Sequence, residues 1–191
     1  MELLKTYRRS LADFTERVEQ VHPGQWSAVT PCPGWDVRAL VNHVVSEERW
    51  SVPLLAGRTL DEVGDRYDGD QLGADPIAAA REAASQAEVA ATSPGALDRT
   101  VHTSAGAIPV EEYLRQLLAE HLVHGWDLAV AIGADPSTDA DAVAEVARWY
   151  SHRMADYRRN GLVEPEVELP AGVSEQDRLL AAFGRDPDWA P

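Results

Sequence analysis

The chain has 191 residues, 45% of them hydrophobic, and a formal charge of −15, which is enough apolar material for one domain with a real core. No apolar run reaches the roughly 18 to 20 residues a membrane span needs, and the acid excess repels phosphate backbones, so neither a membrane nor a nucleic acid is an expected partner. Cys32 is the single cysteine, which excludes an intrachain disulfide.

The N-terminal stretch Glu2-Leu3-Leu4-Lys5-Thr6-Tyr7-Arg8-Arg9 has no apolar signal core, and the protein reads as cytoplasmic. Leu4, Tyr7, Leu11, Phe14 and Val18 recur at spacings of three and four. They predict a first helix over 2–20, ended by His22-Pro23-Gly24. Residues 26–35 form a loop in which Pro31 and Pro33 remove backbone donors. Asp36 is an N-cap for a helix over 37–52, with an apolar stripe of Val37, Leu40, Val41, Val44 and Val45; Pro53 limits it. Residues 57–75, rich in Gly and Asp, are a loop with at most a short helical turn. Pro76 opens an alanine-rich third helix over 76–92, stopped by Ser93-Pro94-Gly95. Val101–Pro109 reads as an extended crossing segment. A fourth helix covers 110–132, with Leu114, Leu117, Leu118, Leu128 and Ile132 on its core face and Gly133 after it. A fifth runs over 139–159, its buried side marked by Val143, Val146, Ala147, Tyr150 and Met154. An irregular linker over 160–174, a short helix over 175–183 and an irregular tail complete the chain. Helices without convincing strand alternation predict an all-α bundle. The strand–helix rhythm and Gly-rich phosphate loop of a dinucleotide fold are absent.

Bundles build metal sites from inward-facing side chains on different helices. Glu120 and His124 are one turn apart on the fourth helix, and His43 lies on the second. If they converge, their N and O donors suit zinc, nickel or ferrous iron, and three protein ligands leave one position open for chemistry. A lone Glu-x-x-x-His pair is a weak signal. At 100° per residue His121 sits nearer the leucine face than Glu120, so a set of His43, His121 and His124 is an alternative. Asp127, one turn beyond His124, could accept a proton from its other ring nitrogen. Glu47, one turn beyond His43, could do the same or bind as a fourth ligand; a solvated helix face is its plainer role.

Thr30-Pro-Cys-Pro-Gly-Trp-Asp-Val-Arg-Ala-Leu-Val-Asn-His43 resembles the opening signature of the metal-binding domain of mycothiol-dependent maleylpyruvate isomerases, in the DinB/YfiT-like superfamily. Glu120-His-Leu-Val-His-Gly-Trp-Asp-Leu-Ala129 resembles its second signature, and Phe183-Gly-Arg-Asp-Pro-Asp-Trp189 the ending of a single-domain branch. The resemblance implies a single domain over 1–191: an up-and-down four-helix bundle with extra short helices and an irregular C-terminal tail. It also implies a divalent metal, often zinc, on His43, Glu120 and His124, which favours Glu120 over His121. The isomerase resembles a two-domain protein, and this chain ends soon after the bundle. Isomerisation of maleylpyruvate is therefore not carried over.

The leading expectation is a metal-dependent thiol S-transferase or related mycothiol-using enzyme, with a small-molecule thiol and an electrophile as partners. A metal-dependent hydrolase, with Glu47 or Asp127 as base, and a non-catalytic metal or small-ligand binding module are the alternatives. A homodimer is compatible with a bundle that has a spare apolar face. Cys32 has no evident cationic neighbour in the sequence and reads as a small buried loop residue rather than a redox thiol. Trp35 and Trp126 are expected to pack on the bundle and wall a pocket, with His102 and Tyr113 as candidates for its rim. Arg38 is expected in an exposed helix salt bridge rather than at an anionic thiol carrier.

Overall fold

The computed structural model describes residues 2–104, 106–159, 161 and 163–190. Ala105 in the expected extended segment, Asn160 and Leu162 in the expected linker, and Pro191 in the tail lie outside the described residues. The expected all-α bundle is what the chain forms. Its four long helices are α1 (Glu2–Glu19), α2 (Val37–Leu55), α4 (Pro76–Ala91) and α5 (Val110–Ile132). A one-turn helix, α3 (Leu60–Val63), sits in the Gly/Asp-rich loop and is started by a Thr59/Glu62 capping box. Helix α1 packs against α5 and α4, and α2 packs against α4 and α5.

Helix α2 does not stop at Pro53 but continues to Leu55. Proline removes one ladder bond, yet Leu54 and Leu55 after it are buried in the core. Burying such a side chain is worth about 1.5–3 kcal/mol, which offsets the missing bond. The segment over 101–109 is not a single extended crossing. It is an antiparallel hairpin of β1 (Thr100–Thr103) and β2 (Gly106–Pro109), with Val101 opposite Ile108. Gly106 adopts φ 114°, a value that favours glycine at the turn. The expected fifth helix is also broken, into α6 (Ala140–Ser151) and α7 (Met154–Arg159). At the break the Ser151 hydroxyl donates to the Arg148 carbonyl at 2.8 Å, and Arg153 is drawn across to Glu112 on α5. The short helix near the C-terminus is α8 (Glu175–Ala182), capped by Ser174.

Two apolar clusters fill the bundle. Phe14, Val18, Leu40, Val44 and Leu128 belong to one, and Tyr7, Leu11, Leu55, Leu114 and Leu117 to the other. Between them along the helices fall Ser10, Glu48 and His121, a buried polar layer. A third cluster, with Leu118, Leu122, Val146, Tyr150 and Phe183, fastens α6 and α8 to the outer side of α5.

Candidate metal centre

Asp36 caps α2 by accepting the Ala39 amide at 2.8 Å, and this sets the start of the helix that carries His43. The preceding loop is folded on itself: the Thr30 hydroxyl accepts the Cys32 amide at 3.2 Å and donates to the Trp35 carbonyl at 2.9 Å. It thereby holds Cys32 and Trp35 over the gap between α2 and α5. The Trp35 ring lies 4.8 Å from the His43 ring and 5.8 Å from the His124 ring, centroid to centroid.

The structure brings His43, Glu120 and His124 together. Glu120 Oε2 stands 3.1 Å from His43 Nε2 and 3.0 Å from His124 Nε2, and the three donor atoms lie within 4.8 Å of one another. Donors held tetrahedrally at about 2.0–2.1 Å from zinc are about 3.3 Å apart, so the set fits a divalent ion with small adjustment. Burial by itself raises the Glu120 pKa. Hydrogen bonds from His124 and His43 outweigh it and hold the carboxyl well below the usual carboxylate range. Burial works against the His124 imidazolium, but Asp127, Cys32 and Glu120 outweigh it and raise its pKa well above the ordinary value.

Asp127 lies beside His124 on the same helix. Fully buried, it accepts from His124 Nδ1 at 3.0 Å and so aims Nε2 at Glu120. Glu47 makes no hydrogen bond among the described residues, but it lies close enough for its charge to matter. Burial and then Glu120 raise its pKa, while His43 and His124 lower it.

His121 faces the other way. It is 2% exposed and lies 3.1 Å from the Ser10 hydroxyl through Nδ1. Because that hydroxyl donates to the Tyr7 carbonyl at 2.8 Å, it accepts from the ring. Nε2 then faces Glu48, 3.6 Å away. Burial pushes the His121 pKa down to about 4. The alternative set built on His121 is therefore not assembled.

Several expectations change. Cys32 is half-buried and lines the cavity, and it does have a cationic neighbour: Arg185 Nη2 donates to its Sγ at 2.9 Å. Trp126 is buried but, unlike Trp35, does not wall the cavity. Tyr113 is buried in the core and His102 is exposed on the hairpin; neither reaches the rim. Arg38 forms an exposed salt bridge, but with Asp70 in the 57–75 loop rather than along its own helix. Sequence reasoning missed Arg185, whose only signal was its place in the closing Phe183–Trp189 string. It also missed Glu48, which sits next to Glu47 on α2 but is buried in the core.

The centre opens into a cavity of about 750 Å³. The side of α5 that lines it carries Glu112, Gln116, Ala119, Glu120, Val123 and His124, recurring at helical spacing. Other walls come from the hairpin, α6, α7 and the tail.

Among known proteins, two uncharacterized proteins of Mycobacterium tuberculosis, from two strains, are each 29% identical over 193 residues, covering 97% of this chain and 98% of theirs. Two crystal structures of the mycothiol-dependent maleylpyruvate isomerase, one of them a point mutant, are similar in fold. The mutant has a TM-score of 0.65 and the other 0.62, each at 18% identity over 84% of this chain and 71% of theirs. At that identity the likeness speaks to the all-α DinB-like fold. Residues 7–129 match the family described as the mycothiol maleylpyruvate isomerase N-terminal domain. That span includes both signatures and every donor of the candidate centre, and the chain belongs to this family.

Proposed function

We propose that the protein is a metal-dependent enzyme that joins a low-molecular-weight thiol, mycothiol or a close analogue, to an electrophilic carbon. The observation that carries this reading is the convergence of two imidazoles and one carboxylate, from two helices, at the end of an open cavity. His43, Glu120 and His124 would hold the ion, zinc first, with nickel and ferrous iron sharing the same donor preference. When bound, such an ion lowers the pKa of a thiol so that it reacts as thiolate near neutral pH. Asp127 keeps His124 in the tautomer that presents Nε2. Trp35 lies against both imidazoles and walls this end of the cavity. Glu47, whose charge is felt at Glu120, His43 and His124, would take the thiol proton and return it. In an addition the C–S bond forms, the π pair moves to the neighbouring carbon, and that carbon receives the proton. Membership of a mycothiol-related family supports the choice of thiol.

The test is elemental analysis and thiol conjugation with untagged wild-type and His43→Ala protein. About one metal per chain is expected in the wild type, with metal lost and conjugation down about 100-fold in the variant. Complete metal loss with unchanged conjugation would overturn the reading. Turnover of esters or amides without thiol would favour the hydrolase instead.

A further inference from the structure

The cavity is far longer than the metal centre. From His124 to Glu112 the α5 wall runs twelve residues, about 18 Å at 1.5 Å per residue. Its distal end is chemically unlike its metal end. Trp149 and Phe183 form walls there, with half-buried Tyr157 between α6 and the opening. Trp149 and Tyr157 meet edge to face at 5.6 Å and 86°, and Tyr150 stacks on Phe183 at 4.2 Å. Ile108 supplies aliphatic surface here, and Val123 does so at the metal end beside His124.

The charged groups at this end satisfy one another. Arg153 donates to both oxygens of Glu112, at 2.7 Å each, and its guanidinium lies 5.3 Å from the centre of the Trp149 ring. Trp149 Nε1 gives the same carboxylate a third bond at 3.0 Å. The other lining arginine, Arg185, is spent on Asp127 and Cys32. Among the described lining residues no arginine is left to receive a carboxylate; Asp156 is paired with Arg159, and exposed Glu164 adds acid at the rim. An anion entering here would meet no free arginine among these lining residues, in a chain of net charge −15.

We propose that this aromatic end is the binding site for the electrophile, and that it takes a neutral, planar, apolar body such as an aromatic ring or conjugated carbonyl compound rather than a carboxylate-bearing one. The inference rests on the thiol-transfer reading for its reaction, but the binding it describes needs no metal. Rigid aromatic walls offer stacking and edge contacts at little entropic cost. Their position along α5 from Glu120 and His124 lets a bound molecule extend toward the thiol end.

The test uses chelator-treated full-length protein and two fluorescent probes of matched shape: neutral N-phenylnaphthylamine and the anionic anilinonaphthalene sulfonate. The neutral probe should bind about tenfold more tightly. Tyr157→Ala should weaken it about fivefold. Ile108→Asp, on the hairpin where the half-buried side chain packs at the edge of the core, should do the same and gives a second variant if the first does not fold. Glu112→Gln, which leaves the Arg153 charge uncompensated, should narrow the gap between the probes. Equal or tighter binding of the sulfonate to wild-type protein would overturn the proposal, as would unchanged neutral-probe affinity in a folded Tyr157→Ala or Ile108→Asp protein. Because these measurements are made without metal, their failure is distinct from failure of the metal analysis.

Discussion

Arg185 grips Asp127 sideways: Nε lies 3.1 Å from Oδ1, and Nη2 lies 2.9 Å from Oδ2. Both side chains are almost entirely out of water. Burial disfavours each charge, but His124 and Arg185 hold Asp127 below its ordinary range, and Asp127 holds Arg185 above its own. The pair ties the C-terminal tail to the residue that orients His124.

Arg185→Met should therefore leave buried Asp127 with His124 but without its guanidinium, at a cost of up to about 3–5 kcal/mol. It should also weaken zinc binding about 10- to 100-fold, because His124 loses its fixed orientation. Thermal melts and zinc titration of the chelated protein read the two effects separately. Unchanged zinc affinity in a folded variant would detach the tail from the centre.

Gly184 precedes this arginine at φ 79°, and an added Cβ would run into Glu164 and the Pro165 carbonyl, the latter at 3.0 Å. Gly184→Ala should cost about 1–3 kcal/mol through backbone strain. It should also lower zinc affinity in the same direction as Arg185→Met, since the displaced tail carries Arg185 away. A variant that loses stability yet binds zinc normally would show that Arg185 holds its place without the tail.

Glu48 is 1% exposed, and neither carboxylate oxygen has a hydrogen-bond partner among the described residues. Burial raises its pKa well above the ordinary 4.5. In a carboxyl so raised, the unfolded chain releases its proton first, so stability falls as pH rises from about 4.5 toward the folded value. Glu48→Gln should remove that loss. At pH 7 the variant should be more stable by about 1–3 kcal/mol, or about 2–12 °C in Tm for a chain of this size. Below pH 4 the difference should vanish. A gap that is constant with pH would assign the effect to packing instead.

His124, in the absence of metal, has its pKa raised by Asp127, Cys32 and Glu120 against the opposing effect of burial. The stability this contributes is full below the ordinary 6.5 and is lost as pH rises through the folded value. A metal must displace that proton. Zinc binding to chelated protein in weak buffer near pH 7 should release about one proton per ion and tighten as pH rises. Zinc uptake with no proton release would place the ion elsewhere.

Much of the molecule was legible before folding because its signals are local. The spacing of Leu4, Tyr7, Leu11 and Phe14, the Asp36 cap and Gly133 after α5 each act within a few residues. Helix period likewise puts Glu120 and His124 one turn apart wherever α5 docks. Pattern failed where distant contacts overruled it. Buried Leu54 and Leu55 carry α2 past Pro53, and the pull of Glu112 on Arg153 accompanies the break between α6 and α7.

Which histidine turns toward His43 was a tertiary decision, because rotation of α5 about its axis is set by what packs on each side. Ser10 and Glu48 receive His121, and the gap beside α2 receives Glu120 and His124. The meeting of Arg185 with Asp127, 58 positions away, was a decision of the same kind. Local sequence sets the period and ends of a helix through bonds and caps within a turn or two. The partner of a side chain across the bundle depends on the packing of the whole chain, which no short stretch contains.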